Sequence, residues 1–127
     1  MPAAAATPHL PYPAPIDAYG DGGFRFAGLS HRGALLCLPD GIWAWPVAEP
    51  QAVTPETLAP VLDLAARLDL FILGTGRDWW QVPASLRALF SEHSLRWEAM
   101  PTNAAIRTYN VLVAEGRRVA AALIAVG

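Results

Sequence analysis

From residue 54 onward, Leu58, Val61, Leu62, Ala65 and Leu68 recur at the i, i+3, i+4, i+7 spacing of one helix face. Thr54 suits an N-cap and Pro55 the first helical position, so the pattern predicts a helix from there to about Leu68. Residues 70–73 are a short apolar run closed by Gly74-Thr75-Gly76, which reads as a buried strand. Pro83 opens a second predicted helix through Leu86, Leu89 and Phe90, and residues 95–100 follow as a strand. Thr102 is placed as the cap of a third helix reaching Ala114, with Gly116 ending it in a left-handed conformation. Residues 119–126 are apolar without alternation, the pattern of a strand covered on both faces.

The first third has a different texture. Residues 16–18 and 24–26 flank Asp21-Gly22-Gly23, and residues 32–38 and 42–45 flank Pro39-Asp40-Gly41. Both connections carry turn residues, so two hairpins are predicted. Residues 1–15 hold five prolines and no apolar period, and are read as a flexible arm ahead of one α/β domain over residues 16–127. The helix–strand alternation after residue 54 implies a sheet with helices on both faces.

Composition narrows the function classes. The 127 residues are 54% apolar and 16% charged, with a net charge of −2, so the chain should fold and lacks the basic excess that phosphate backbones need. Nucleic acid is not an expected partner. All nine basic residues are arginine, which excludes a Schiff-base lysine or a phosphate-loop ammonium. Cys37 is the single cysteine and the longest apolar run, residues 119–126, is far short of the roughly 20 residues of a membrane helix. A cytoplasmic setting without a membrane span is the expectation.

Candidate chemistry centres on the turn after residues 70–73. Gly74-Thr75-Gly76 sits where a phosphate-binding turn would, but Trp79 stands where the dinucleotide fingerprint has its third glycine. If residues 70–73 and 95–100 are parallel neighbours, Thr75, Arg77, Thr102 and Asn103 gather at one sheet edge, with Arg107 about a turn into the following helix. A helix amino end and guanidinium forks both favour anions. The same residues also fit plain roles, with Thr102 as a cap and the arginines solvated or paired with Asp78 or Glu115.

Other catalytic patterns fail. Cys37 lies among leucines, which predicts an unactivated core thiol. Arg32 replaces the second glycine of a nucleophile elbow at Gly28-Leu29-Ser30-His31. His9, His31 and His93 are scattered, with no metal-ligand spacing, and no cofactor is expected. Trp43 and Trp45 share a strand face by period 2, whereas the adjacent Trp79 and Trp80 fall in a loop where both are hard to bury together. That loop is an interface candidate, or else a segment folded back over the core.

The unbroken segment from Thr102-Asn103-Ala104-Ala105-Ile106-Arg107-Thr108-Tyr109-Asn110 through Gly116-Arg117-Arg118-Val119 to Leu123 carries a resemblance. It is similar to the bacterial branch of a small family of unknown biochemical function that includes the mitochondrial respiratory complex I assembly factor 3 and an adipogenesis-associated animal protein. The Ser30-His31-Arg32-Gly33 turn, the Gly74-Thr75-Gly76 turn and Pro83 agree with it. The resemblance implies a three-layer α/β fold with a central mixed sheet and an additional N-terminal antiparallel β-unit. It also implies an accessory role in assembling a membrane-bound oxidoreductase. Many bacterial members carry cysteine where this chain has Ile106, so no thiol role applies at that position.

Together these readings lead to a non-catalytic binding or assembly factor with a protein partner and no cofactor or metal, compatible with a homo-oligomer. The alternative is a small-molecule or anion-binding domain, or an uncharacterised enzyme. Its crevice would be formed by Gly74, Thr75, Gly76, Arg77, Thr102, Asn103 and Arg107.

Overall fold

The structure, a computed structural model, describes residues 7–127. The first three strands, β1 (Ala18–Gly20), β2 (Gly23–Phe26) and β3 (Leu29–Arg32), form a small antiparallel sheet in that order. Two-residue loops join them. In the second loop Ala27 and Gly28 both take positive φ, +49° and +77°, as the twist of a tight hairpin demands. The run predicted over residues 32–38 is divided at Gly33, so Ser30, His31 and Arg32 lie in a strand and only Gly33 turns.

Strands β4 (Leu35–Leu38) and β5 (Gly41–Ala44) form the second predicted hairpin, across Pro39 and Asp40. They belong to a five-stranded mixed sheet with β6 (Leu70–Gly74), β7 (Trp97–Met100) and β8 (Val119–Leu123). Its order is β5-β4-β8-β6-β7. β8 pairs antiparallel with β4 and parallel with β6, and β6 pairs parallel with β7. Every residue of β8 is buried, as its unalternating pattern requires.

Helices cover both faces, as the alternation implied. On one face α1 (Ala59–Asp63) and α2 (Ala84–Glu92) place Val61, Leu86 and Phe90 against Phe71, Leu73, Ala120 and Ala122. On the other, α3 (Thr102–Ala114) places Ala105, Ile106 and Tyr109 against Ile72, Ala121 and Leu123. Phe24 and Phe26 of the small sheet join this second cluster, beside Leu35, Cys37 and Ile42. The alanines of β8 leave room for helices on both sides.

Two expectations change. The stripe from Thr54 to Leu68 is not one helix, because Pro60 has no N–H and its ring would strike the Glu56 carbonyl in a continuous one. Thr54 instead closes a turn, its Oγ1 accepting the Thr57 amide at 3.2 Å, and α1 is followed by a 3₁₀ turn over Ala65–Arg67. Leu58, Val61 and Ala65 are buried all the same, since the periodicity reports the buried face whether or not the helix is continuous. The second change concerns the arm. Residues 1–6 of it lie outside the described residues, but residues 9–16 pack on the fold. Leu10 is buried and bridged to Ile42, and the Leu10 carbonyl accepts the Ile42 amide at 2.9 Å. The Ala14 carbonyl accepts the buried Tyr109 hydroxyl at 2.9 Å, and Asn110 of α3 holds both backbone groups of Ile16.

Candidate functional site

The carboxyl ends of the parallel strands β6 and β7 form one edge of the large sheet, and α3 starts there. Contact is close. A Cβ on Gly74 would lie 2.9 Å from Leu123 Cδ2, 3.1 Å from Thr102 Oγ1 and 3.2 Å from Ala105 Cβ, so glycine lets α3 seat closely against β6 without displacing its neighbours. The Thr75 amide donates to the Met100 carbonyl at 2.9 Å, and the Thr75 hydroxyl to the Asp78 carbonyl at 2.7 Å. Thr102, expected as the helix cap, is the first residue inside α3, and Pro101 holds the cap position. Its hydroxyl is fully buried. It accepts the Gly76 amide at 2.9 Å and donates to the Ile124 carbonyl at 2.8 Å, while its own amide donates to the Gly76 carbonyl at 2.8 Å.

The structure therefore brings Gly74, Thr75, Gly76 and Thr102 together in a buried network. The hydroxyls of Thr75 and Thr102 and the amides of Thr75 and Gly76 all have partners within the protein. Arg77, Asn103 and Arg107 lie instead on the exposed surface. Arg77 and Arg107 make no ion pair among the described residues; the salt bridge found there joins Arg117 to Glu115 at 3.7 Å, beyond the opposite end of α3. Two surface depressions, of about 600 and 700 Å³, lie elsewhere: at the amino ends of β6 and β7, beside Asp69 and Arg96, and on the small sheet beside Arg25 and His31.

The network holds the loop that follows it. Trp80 folds back against the core shared by α1 and α2, while Trp79 points outward with 64% of its surface exposed. Of the adjacent pair, then, one tryptophan is folded back over the core and the other is exposed. Trp45 is buried, donating its indole N–H to the Thr57 carbonyl at 2.8 Å.

The remaining titratable groups fit structural roles. Burial pushes the Cys37 thiol up to about 12, although the neighbouring Tyr109 hydroxyl acts in the opposite sense, so no thiolate is available as a nucleophile at neutral pH. Burial and Cys37 raise the Tyr109 phenol as well. His9 and His31, 22 residues apart, meet with ring centroids 4.6 Å apart. Burial, and then the neighbouring His9, hold His31 below its ordinary value, while its bond to the Ala34 carbonyl acts the other way. Among the described residues no three potential metal ligands cluster. Neither the histidine contact nor the triple role of Thr102 was visible in the sequence. Period and capping rules reach only a few residues, and these partners are 22 to 26 residues apart.

The family described as protein of unknown function (DUF498/DUF598) matches residues 16–124. The chain belongs to the DUF498/DUF598 family. An uncharacterized protein of Rhodobacter capsulatus is 40% identical to this DUF498/DUF598 chain over 87% of it and 83% of the relative. NADH dehydrogenase [ubiquinone] 1 alpha subcomplex assembly factor 3 of Mus musculus is 29% identical over 86% of the chain. The match spans 59% of that relative's length. Among solved structures, one described as an outer membrane protein from Bartonella henselae superposes with a TM-score of 0.88. It is 45% identical and covers 94% of this chain and all of the other. The mixed sheet and the added three-stranded sheet are thus the fold of DUF498/DUF598 relatives.

Proposed function

We propose that this chain is a non-catalytic binding factor of the assembly-factor type, acting from the cytoplasm on a protein partner. The observation that carries the reading is Trp79. A large aromatic stands 64% exposed on a loop whose base is tied down by Thr75, Gly76 and Thr102. A tryptophan held on a rigid base is a low-entropy anchor, and tryptophan and arginine dominate interface energetics. Arg77, two residues before it, is exposed on the same loop. Similarity to the mouse assembly factor supports the class of function. Biogenesis of a membrane-bound respiratory complex is the corresponding proposal for this chain.

The test compares the full chain with Trp79→Ala in cross-linking and co-purification from its own cells, beside a thermal-shift screen with sulfate, phosphate and nucleotides. The reading expects a respiratory-complex subunit to be recovered with the native chain and lost with Trp79→Ala at unchanged melting temperature. Equal recovery by both forms overturns it. A ligand-dependent rise in melting temperature that Arg107→Ala abolishes would instead support an anion site at Gly74, Thr75, Gly76, Arg77, Thr102, Asn103 and Arg107.

A further inference from the structure

The strand order leaves β7 at one margin of the large sheet, with β6 as its one strand neighbour among the described residues. The Phe71 amide donates to the Arg96 carbonyl at 2.9 Å and the Thr75 amide to the Met100 carbonyl at 2.9 Å. In a parallel ladder, alternate residues turn their backbone groups to the same neighbour. Arg96, Glu98 and Met100 therefore face β6, and the N–H and C=O of Trp97 and Ala99 face outward. An exposed strand edge of this kind is a template for another strand.

We propose that β7 pairs antiparallel with β7 of a second copy, centred on Trp97, joining two five-stranded sheets into one. Charge selects both the occupant and the register. Arg96 and Glu98 are exposed, lie two residues apart and share one face of the strand. A two-fold centred on Trp97 sets each Arg96 opposite Glu98 of the other copy, forming two ion pairs, while the two Trp97 residues exchange N–H···O bonds. Centring on Glu98 or on Arg96 sets like charges directly opposite each other, which destabilises a pair. Centring on Ala99 sets Trp97 against Pro101, which has no N–H to donate. The Trp97 register alone satisfies charge and backbone together. The Trp97 side chain, half-buried with its ring 5.2 Å from that of Phe90, then meets its symmetry mate on the α2 side. This proposal is independent of the partner reading for Trp79, which lies on the loop after β6.

The experiment is sedimentation equilibrium of the full chain over a wide concentration range, with circular dichroism confirming the fold of each variant. The native chain should show a monomer–dimer equilibrium. Glu98→Arg and Arg96→Glu, each alone, place like charges opposite one another and should weaken it roughly tenfold or more. Mixing the two variants should restore association as a heterodimer, since the strand with two arginines then lies opposite the strand with two glutamates. Ala99→Pro, which removes an outward N–H without touching the β6 ladder, should also weaken it. A native chain that stays monomeric at every concentration overturns the proposal. So does a dimer indifferent to both charge reversals, or a mixture that fails to associate.

Discussion

The hydroxyl of Thr102 accepts the Gly76 amide at 2.9 Å and donates to the Ile124 carbonyl at 2.8 Å, so one buried side chain joins three segments. These are the loop after β6, the start of α3 and the tail after β8. Loop, helix and tail meet where the exposed Trp79 and Arg77 are presented, which makes this threonine the support of the proposed contact surface.

Thr102→Val keeps the shape and removes both bonds, leaving a buried amide and a buried carbonyl without partners. It should lower stability by ~1–3 kcal/mol, while Thr102→Ser should lose less. Urea denaturation of the three forms checks this, and a valine variant as stable as the native chain contradicts it.

Helices α2 and α3 end in the same motif on different residues. After α2, Leu95 N–H bonds to Phe90 and Ser94 N–H to Ser91, with Ser94 at φ +53°. After α3, Arg117 N–H bonds to Leu112 and Gly116 N–H to Val113, with Gly116 at φ +76°. Nothing lies within 4 Å of a Cβ built on Gly116, so the conformation alone sets the cost there. Ser94→Gly should raise stability and Gly116→Ala lower it, each by roughly 1 kcal/mol, in thermal melts.

His31 makes stability depend on pH. Burial and the neighbouring His9 lower its folded-state value below the ordinary 6.5, so the unfolded chain binds the proton more readily. The contribution is full above about pH 6.5 and declines as the pH falls towards the lowered folded value. His31→Asn should flatten the loss of stability between pH 7 and 5. An unchanged slope in that variant would assign the acid sensitivity elsewhere.

Removing residues 1–15 should cost stability, because Leu10 leaves its place beside Ile42 and the buried Tyr109 hydroxyl loses the Ala14 carbonyl. A loss of ~2–4 kcal/mol is expected from the apolar burial and the orphaned hydroxyl together. Denaturation of the truncated chain gives the answer, and an unchanged midpoint would mean that the segment contributes nothing.

Much of this protein was decided within short stretches of chain. α3 runs over Thr102–Ala114 with left-handed Gly116 after it, as read from the threonine at its start and the glycine beyond its end. The Pro39-Asp40 turn joins β4 to β5, and β8 is buried throughout, because its run of small apolar residues suits no half-exposed strand. These signals act over a turn of helix or a pair of strand residues, where backbone sterics and side-chain period are sufficient. Pro60 was equally local, and its effect on α1 follows from its missing N–H. Tertiary structure alone decided that Leu10 would be buried, that His9 would meet His31, and that of two adjacent tryptophans Trp79 would face outward and Trp80 inward. It also turned Thr102 from a cap into a three-way tie. Each of these depends on packing that only the folded chain assembles, and a partner far along the chain leaves no mark in the local pattern that finds helices and strands.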